Sequence, residues 1–386
     1  MICFGLYIII VILNLIMVLS KRNSVIVGVI SVVFIVLATA GSVDNADYHN
    51  YYLWYNGGWH PKTVDIGYMF LSDTFSGLDL PYWFFLASIQ CFCLGIYIFV
   101  ISKYGKGYHV FLLMYLIYQI FLDYVQIRNT IAISLVVLAL YFLSKNNRLV
   151  TLLILILSAT IHKSMILMIP IVFIYSKNKS FEKIIKMYFY MIIVFCGLIF
   201  LNGNQLPFLS LISKLPFLAH KFEKYFSTKT RFGFVIPFAL QFINIIIVSC
   251  FVFIQKSLDH YKFDLIHDYS NKQNRESENN FVKICYAFVM FSCFAFPLLM
   301  IHEEFIRYFR NCNIIVYLLV SIVYTNHDTT PIFNLPFFQF PFKLRMDRIS
   351  VILVLILCNI LWLIMYSPNH VITTFFTNNQ WLSGYC

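Results

Sequence analysis

Charged side chains are scarce in this sequence. Asp, Glu, Lys and Arg make up 12% of its 386 residues, 60% are hydrophobic, and the mean hydropathy is +0.79. Because soluble domains carry about 25% charged residues, this composition excludes an ordinary soluble protein. Apolar runs over 2–20, 24–40, 82–101 and 351–366 each approach the ~20 residues that a helix needs to cross about 30 Å of hydrocarbon. The sequence therefore predicts an all-α polytopic membrane protein.

Several motifs of well-known chemistries are also missing. The sequence has no Walker motif, no HExxH and no GxSxG, which argues against ATP-driven and metalloprotease functions. None of its ten cysteines belongs to a CxxC pair, and most lie in apolar runs, where free cysteine packs as a small hydrophobe. His162, His220 and His302 lack the mutual spacing of metal ligands. We therefore predict no disulfide framework, no metal site and no cofactor.

The basic residues explain the net charge of +11 without a nucleic-acid partner. They form short clusters between apolar segments, as membrane topology requires, rather than a phosphate-binding stripe. The first apolar segment has no basic residue before it, and Lys21 and Arg22 follow it. A signal peptide has the reverse order, so we expect this segment to be a retained helix. The predicted surroundings are the lipid bilayer, with no nucleic acid.

About twelve membrane segments account for the chain as one integral membrane domain, 1–386. They are predicted at 2–20, 24–40, 82–101, 109–124, 129–143, 149–161, 164–176, 187–201, 233–254, 282–301, 311–325 and 351–366. Most of the 28 Lys and Arg residues then fall in loops on one side of the membrane. The positive-inside rule makes that side cytoplasmic, and an even number of helices places both termini outside.

The region 109–176 contains four segments of only about 13 to 16 residues, which reach roughly 20–24 Å at 1.5 Å per residue. Broken or re-entrant helices of this kind are tolerated where protein or a water-filled cavity covers the freed backbone. A single long helix over 149–176 is the alternative, with His162 and Lys163 near mid-membrane. We favour the hairpin because it keeps the basic clusters at both of its ends on the cytoplasmic side.

Three connecting loops are long enough to describe. Residues 41–80 form an outer loop that interleaves acids with tyrosines and tryptophans. Residues 202–232 form a second outer loop, in which mixed apolar and basic residues predict an interfacial helix. Residues 255–281, rich in Asn, Ser, Lys and Asp, are predicted to be a cytoplasmic loop.

Two polar breaks interrupt otherwise apolar sequence. Asp123 to Asn129 contains Arg128, and Thr160 to Ser164 contains His162 and Lys163. An ionisable group costs about 2.5–3.5 kcal/mol at the membrane centre on insertion scales, so such groups usually face a cavity and carry function. The structural alternative is that Arg128 and Lys163 extend to lipid phosphates at the surface.

The segment 302–310 carries Glu303, Arg307 and Arg310 between two apolar helices. Arg307 and Arg310 lie three residues apart and share a helix face, and two guanidinium groups suit a diphosphate because each presents a planar fork to phosphate oxygens. Glu303 lies four residues before Arg307, so an ordinary helix end with ion pairs is the alternative.

Two further polar segments lie in the outer loops. In the first, Asp47 precedes Tyr48 and Tyr51, so an acid next to aromatic rings could activate a sugar hydroxyl while the rings stack on sugar faces. Tyrosines at a membrane interface are the alternative. The second runs from His220 to Gly233 and contains Arg231, whose charge suits either a lipid-linked phosphate or an interfacial anchor.

The order of these motifs resembles the EpsG-like branch of the Wzy O-antigen and exopolysaccharide polymerases. The resemblance rests on Asp47-Tyr48 with its spaced tyrosines, Ile127-Arg128-Asn129, Ile161-His162-Lys163-Ser164 before Pro170, Lys221 to Tyr225, and Arg307-Tyr308-Phe309. It extends over nearly the whole chain, although each motif is short. The family often has Gln where this chain has Asn129, a change that preserves hydrogen bonding but argues against a direct base role there.

The resemblance implies a GT-C-like, inverting, metal-independent glycosyltransferase in the bacterial inner membrane. It would move a growing glycan from undecaprenyl diphosphate onto a new lipid-linked repeat unit at the periplasmic face, with a chain-length-regulating co-polymerase as the usual partner. Positive charge for the diphosphate would come from the basic residues, and a base would come from His162, Asp47 or Glu303, among which we favour His162. The full set of ligand candidates is Arg128, Asn129, Lys163, Arg231, Arg307, Arg310, Tyr48 and Tyr51.

Other functions remain open at this point. A polyprenol-linked glycan flippase or another secondary transporter also has about a dozen helices, but its charges should follow a central path and its halves often match. Here the candidate groups fall at helix ends on one side. A purely structural or binding membrane protein is the third interpretation.

Overall fold

The structure is a computed structural model. It describes residues 2–58, 60–61, 64–105, 107–175, 180–204, 233–262, 269–302, 305–326, 332–333, 344–345, 348–366 and 369–382.

The described chain is almost wholly helical. The first half contains α1 (Ile2–Leu19), α2 (Val25–Gly41), α3 (Tyr48–Gly57), α4 (Ile66–Gly77), α5 (Tyr82–Tyr104), α6 (Tyr108–Met114), a π-helical turn (Tyr115–Gln119), α7 (Ile120–Asp123), α8 (Ile127–Ser144), α9 (Arg148–Ile161), a 3-10 helix (Lys163–Met168) and α10 (Ile171–Ile174). The second half contains α11 (Ser180–Leu201), α12 (Val235–Lys262), α13 (Tyr269–Phe291), a 3-10 turn (Ser292–Phe294), α14 (Ala295–Ile301), α15 (Ile306–Asn326), α16 (Arg348–Tyr366) and α17 (Asn369–Thr377). Two-residue strands, β1 (Ile332–Phe333) and β2 (Leu344–Arg345), pair antiparallel.

The predicted all-α polytopic architecture is confirmed. Within the described parts of the chain, five apolar helical segments are at least 18 residues long, and seven shorter ones contain 10–17 residues. Each of these twelve segments overlaps one of the twelve predicted from the sequence. Because long apolar helices are the form in which a chain satisfies its own backbone inside hydrocarbon, the chain is a multi-pass membrane protein.

The helices divide into central and peripheral ones. In α15 the apolar window Ile306–Val323 is 94% buried by the rest of the chain, whereas only 22% of α1 is buried. The exposed positions of α1 include Ile9, Ile12 and Ile16. An exposed apolar face is stable only against lipid or another apolar surface, so α1 lies at the periphery and α15 at the centre of the bundle.

The predicted hairpin in the region 148–175 is confirmed. The helix α9 ends at Ile161, His162 adopts an extended conformation, and the 3-10 helix and α10 follow. The guanidinium Nη2 of Arg148 donates a hydrogen bond of 3.2 Å to the backbone oxygen of Tyr175. The start and the end of the segment therefore lie together. With 14 residues, α9 extends about 21 Å, so the turn at His162 is reached well short of a full bilayer crossing.

Buried polar contacts fix the turn that precedes α8. The carboxylate of Asp123 accepts hydrogen bonds from the Tyr115 hydroxyl (2.6 Å) and the Gln119 amide (2.7 Å). The hydroxyl of Thr130, in the first turn of α8, is 3.4 Å from the Asp123 backbone oxygen, to which it donates. Tyr115 and Gln119 belong to the π-helical turn, a feature that often accompanies functional sites. This network sets the direction in which α8, and with it Arg128, begins.

Two predicted loops differ from the structure. Residues 41–80 contain the short helices α3 and α4, which the sequence analysis did not assign. Most of the predicted loop 255–281 is helical, because α12 continues to Lys262 and α13 begins at Tyr269. Lys, Gln, Arg and Glu recur over 272–278, and these residues favour helix even outside an apolar segment. The interfacial helix predicted within 202–232 falls almost wholly on residues 205–232, outside the described residues.

The C-terminal helix α17 is attached to the end of the bundle that holds residues 41–80. The Asn379 amide donates to the backbone oxygen of Ala38 (2.9 Å), and the Tyr124 hydroxyl donates to the backbone oxygen of Val371. A Cβ on Gly41 would lie 2.8 Å from the Asn379 side chain, so a larger residue at position 41 would displace this contact.

Candidate functional site

The candidate site begins with an unusually close approach between α4 and α9. A Cβ added to Gly67 would lie 2.5 Å from Thr160 Oγ1 and 2.9 Å from the Thr160 backbone carbon. Distances this short are not compatible with any side chain at position 67. Glycine there lets the start of α4 reach the end of α9, and so brings Asp65 next to His162.

We expect Gly67→Ala to disrupt the site. The added methyl group would meet backbone as well as side-chain atoms of α9, so α4 must move away and carry Asp65 with it. The expected result is a large loss of the protein's activity, together with lower thermal stability in detergent. Gly77→Ala is the matched control, because Gly77 belongs to the same helix and a Cβ there meets nothing within 4 Å. Equal activity of the two variants would contradict this account of the contact.

Three basic side chains surround the carboxylate of Asp65. Its Oδ2 lies 3.3 Å from Arg128 Nη1 and 3.9 Å from His162 Nδ1, and its Oδ1 lies 3.3 Å from Lys163 Nζ. We call Asp65, Arg128, His162 and Lys163 the Asp65 cluster. It joins both polar breaks of the sequence to the loop 41–80.

The members of the Asp65 cluster differ in their exposure to solvent. The exposed fraction of the side chain is 5% for Asp65, 16% for His162, 24% for Arg128 and 60% for Lys163. The acid is therefore the most enclosed member of the cluster, and the basic groups are more accessible. An anionic ligand arriving from solvent would meet the cations first.

Tyr51 of α3 holds the guanidinium group of Arg128 from another side. Arg128 Nε donates a 3.0 Å hydrogen bond to the Tyr51 hydroxyl, and the guanidinium carbon lies 5.7 Å from the centre of the Tyr51 ring. Tyr51 in turn packs edge-to-face on Tyr68 of α4, with 5.4 Å between ring centres. Arg128 is therefore fixed by an acid, a hydroxyl and a ring face, which leaves few rotamers open to it.

The beginning of α15 closes the site. The Tyr308 hydroxyl donates a 3.2 Å hydrogen bond to the backbone oxygen of Ser164, which ties α15 to the break after His162. Arg307 precedes Tyr308 and is partly buried. Its positive charge acts on both His162 and Asp47. The structure thus brings together four residues that are far apart in the sequence, Asp47, Arg128, His162 and Arg307.

The electrostatics keep His162 neutral. Burial lowers the pKa of His162 to about 4, and the positive charges of Arg128 and Arg307 lower it in the same direction. A neutral imidazole is the form that can accept a proton. Burial raises the pKa of Asp47 from its ordinary value, against the opposing effect of the same two arginines. The arrangement thus combines two cations with two groups able to take up a proton.

The sequence profile of the EpsG family matches residues 25–369. The chain belongs to the EpsG family. Comparisons with curated proteins and with solved structures gave no match. The family assignment predicted from the motifs is confirmed, and it indicates a polysaccharide polymerase-like, glycosyltransferase-like function. The match includes every residue of the Asp65 cluster as well as Asp47, Tyr51 and Arg307.

Some candidate residues of this EpsG-family protein lie elsewhere or have other contacts. The Asn129 amide donates to Asn311 Oδ1 at 2.9 Å, and the Asn311 amide donates back at 3.3 Å. This buried pair joins α8 to α15, so we remove Asn129 from the ligand set and assign it a role in helix packing. Glu303 and Arg231 lie outside the described residues.

Tyr48 and Arg310 lie near the site but not in its centre. Tyr48 is half-buried and stacks on Tyr52 with 5.7 Å between ring centres, and both rings meet Tyr82 edge-on at 5.6 Å. Arg310 is partly buried one turn of α15 after Arg307. Tyr48 thus belongs to an aromatic group beside the cations, and Arg310 extends the positive charge along α15.

Asp65 is the site residue that the sequence analysis did not single out. It is one of several acids in the loop 41–80, and nothing in its own position separates it from the others. The glycine two residues later, Gly67, acquires its meaning only from the close approach of α4 to α9. Among the described residues, no group of three or more His, Cys, Asp and Glu side chains could hold a metal ion.

Proposed function

We propose that this EpsG-family protein is a polysaccharide polymerase that transfers a growing glycan from undecaprenyl diphosphate onto a new lipid-linked repeat unit. The observation that carries the proposal is the convergence of Arg128, His162 and Arg307, from three separate helical regions, at one end of the bundle. A diphosphate-linked glycan donor requires cations for its leaving group, and its acceptor hydroxyl requires a base. The site combines both.

The proposed reaction is one displacement at the anomeric carbon of the donor sugar. The acceptor hydroxyl oxygen forms the new bond to that carbon, while the bond between the carbon and the diphosphate oxygen breaks. Undecaprenyl diphosphate leaves with the electron pair, and the hydroxyl proton passes to the base. A single displacement inverts the anomeric configuration. In this chemistry Arg128 and Arg307 stabilise the charge that develops on the leaving group, so no step requires a metal ion.

His162 is the proposed base, with Asp47 as the other candidate. The Nδ1 of His162 faces Asp65, so Nε2 remains for the acceptor hydroxyl. Lys163 is the most exposed member of the Asp65 cluster and would contact the diphosphate first. Tyr48, Tyr51 and Arg310 complete the proposed ligand set, with the tyrosine rings next to the sugars.

The position of the helix ends supports an outward-facing site. Lys21 and Lys145 follow α1 and α8, and Lys103 lies in the last turn of α5. These helix ends lie at the end of the bundle opposite the Asp65 cluster. Because loops rich in Lys and Arg remain in the cytoplasm, we place the site at the outer face of the bacterial inner membrane. A GT-C-like mechanism and a partner co-polymerase belong to the same proposal.

The rival function is transport of the same lipid-linked glycan across the membrane. Deleting the gene separates the two functions. Without a polymerase, cells should accumulate single lipid-linked repeat units at the outer face, where a non-permeant glycan label can reach them. Without a flippase, the same units would remain at the cytoplasmic face and escape the label. Protection of the accumulated units from the label would therefore overturn the proposal.

A further inference from the structure

Asp65 is the most deeply buried charged group of the site, and its side chain is used in an unexpected way. It is the N-cap residue of α4, with the extended backbone (φ −82°, ψ 137°) in which Asp usually accepts a hydrogen bond from the first turn of its helix. The Asp65 side chain makes no such capping bond. Its carboxylate points instead at the three basic side chains of the Asp65 cluster.

We propose that Asp65 is a positioning residue for glycan transfer, holding the imidazole of His162 and the guanidinium of Arg128 in their working orientations. The inference rests on the proposed function, because it assigns to His162 the role of base and to Arg128 the role of diphosphate ligand. It adds a residue whose part in the chemistry is to orient others, without touching the substrate.

The two carboxylate oxygens have different partners. Oδ2 faces Arg128 and His162 at 3.3 Å and 3.9 Å, and Oδ1 faces Lys163 at 3.3 Å. The contact with His162 is longer than a hydrogen bond, as catalytic contacts often are before the substrate binds. A buried carboxylate without cations would be strongly disfavoured, so Asp65 and the three basic side chains hold one another in place.

The carboxylate also selects the tautomer of His162. A negative oxygen on the Nδ1 side favours the form with the proton on Nδ1, which leaves the lone pair of Nε2 free to take up a proton. Arg128 and Arg307 are positively charged and therefore oppose protonation of the imidazole. Asp65 is therefore the group that stabilises the imidazolium formed when the acceptor hydroxyl is deprotonated.

The test uses the purified full-length protein with a lipid-diphosphate-linked oligosaccharide as donor and acceptor. Asp65→Asn should reduce kcat by at least about 100-fold, the scale of general base catalysis. It should also move the acidic limb of the pH–rate profile to lower pH, because removal of the negative charge makes the imidazolium less stable. Asp65→Glu should recover part of the rate. Asp79→Asn, which changes the charge of an exposed residue in the same loop, should behave like the unmodified protein.

A double-variant experiment separates positioning from mere folding. If Asp65 acts through His162, then Asp65→Asn should reduce kcat much less in the His162→Gln background than in the unmodified protein. An unshifted pH profile together with fully additive losses would overturn the positioning role, while the His162→Gln loss itself would leave the proposed function intact. If His162→Gln alone kept the normal rate and profile, the choice of base would fail instead.

Discussion

Arg128→Ala is expected to abolish long-chain polysaccharide while single lipid-linked repeat units persist. The side chain of Arg128 makes three contacts, with the Asp65 carboxylate, the Tyr51 hydroxyl and the face of the Tyr51 ring. It is thus held rigidly where the leaving diphosphate would lie. Loss of one such preorganised donor commonly costs about 10²–10³-fold in rate, and loss of a full charge should cost at least as much.

Arg128→Lys tests the geometry apart from the charge. Lysine retains the positive charge but loses the planar fork that binds two phosphate oxygens at once, so a partial rate, with shorter chains, is expected. Arg22→Ala is the matched control, because Arg22 is an exposed arginine at the opposite end of the bundle. The length distribution of the polysaccharide chains on gels measures the effect of all three variants. A normal distribution in Arg128→Ala would remove the diphosphate contact from the account.

His162→Gln is the second substitution with a large expected effect. Glutamine keeps a hydrogen-bonding side chain of similar reach but cannot take up the proton from the acceptor hydroxyl, so the expected loss is about 10²–10⁴-fold in kcat. His49→Gln is the control, because His49 is an exposed histidine of α3, on the same side of the bundle. Near-normal turnover of His162→Gln would transfer the base role to Asp47, whose burial raises its pKa.

The pH dependence follows from the charges around His162. In the ligand-free protein the pKa of His162 is about 4, lowered by burial, Arg128 and Arg307, so kcat/KM should fall only as the pH approaches 4. A bound diphosphate neutralises the two arginines and raises the pKa of His162, so the acidic limb of the pH profile of kcat should lie at higher pH.

As the pH falls, the unfolded chain, in which the histidine has an ordinary pKa near 6.5, takes up a proton before the folded protein does. Folding stability is therefore lost as the pH falls from about 6.5 to about 4.

The sequence predicted the helices of this protein better than their contacts. Twelve apolar runs marked the membrane segments because a helix in hydrocarbon must be long and apolar, and the basic residues at both ends of 148–175 correctly favoured a hairpin. The helices α3 and α4 were not predicted, because their interleaved polar and aromatic residues are also typical of an interfacial loop. Their formation depends on tertiary packing against α5 and α9.

The same holds for the site, whose residues were easier to predict from the sequence than their contacts. Arg128 and His162 stood out because ionisable groups at breaks in apolar helices are costly and therefore informative. Asp65 did not, because only the close approach of α4 to α9 at Gly67 reveals what its carboxylate faces. Asn129 appeared to belong to the site because it follows Arg128, but one residue along a helix turns a side chain by about 100°. That rotation directs it to Asn311 in the core.

The central claim is that this protein itself joins lipid-linked repeat units. The most direct measurement is incubation of the purified, reconstituted protein with undecaprenyl-diphosphate-linked repeat units, without ATP, followed by separation of the glycans by size. We predict a ladder of products that differ by one repeat unit, with undecaprenyl diphosphate released in step. Unchanged single repeat units after incubation with folded protein would contradict the account.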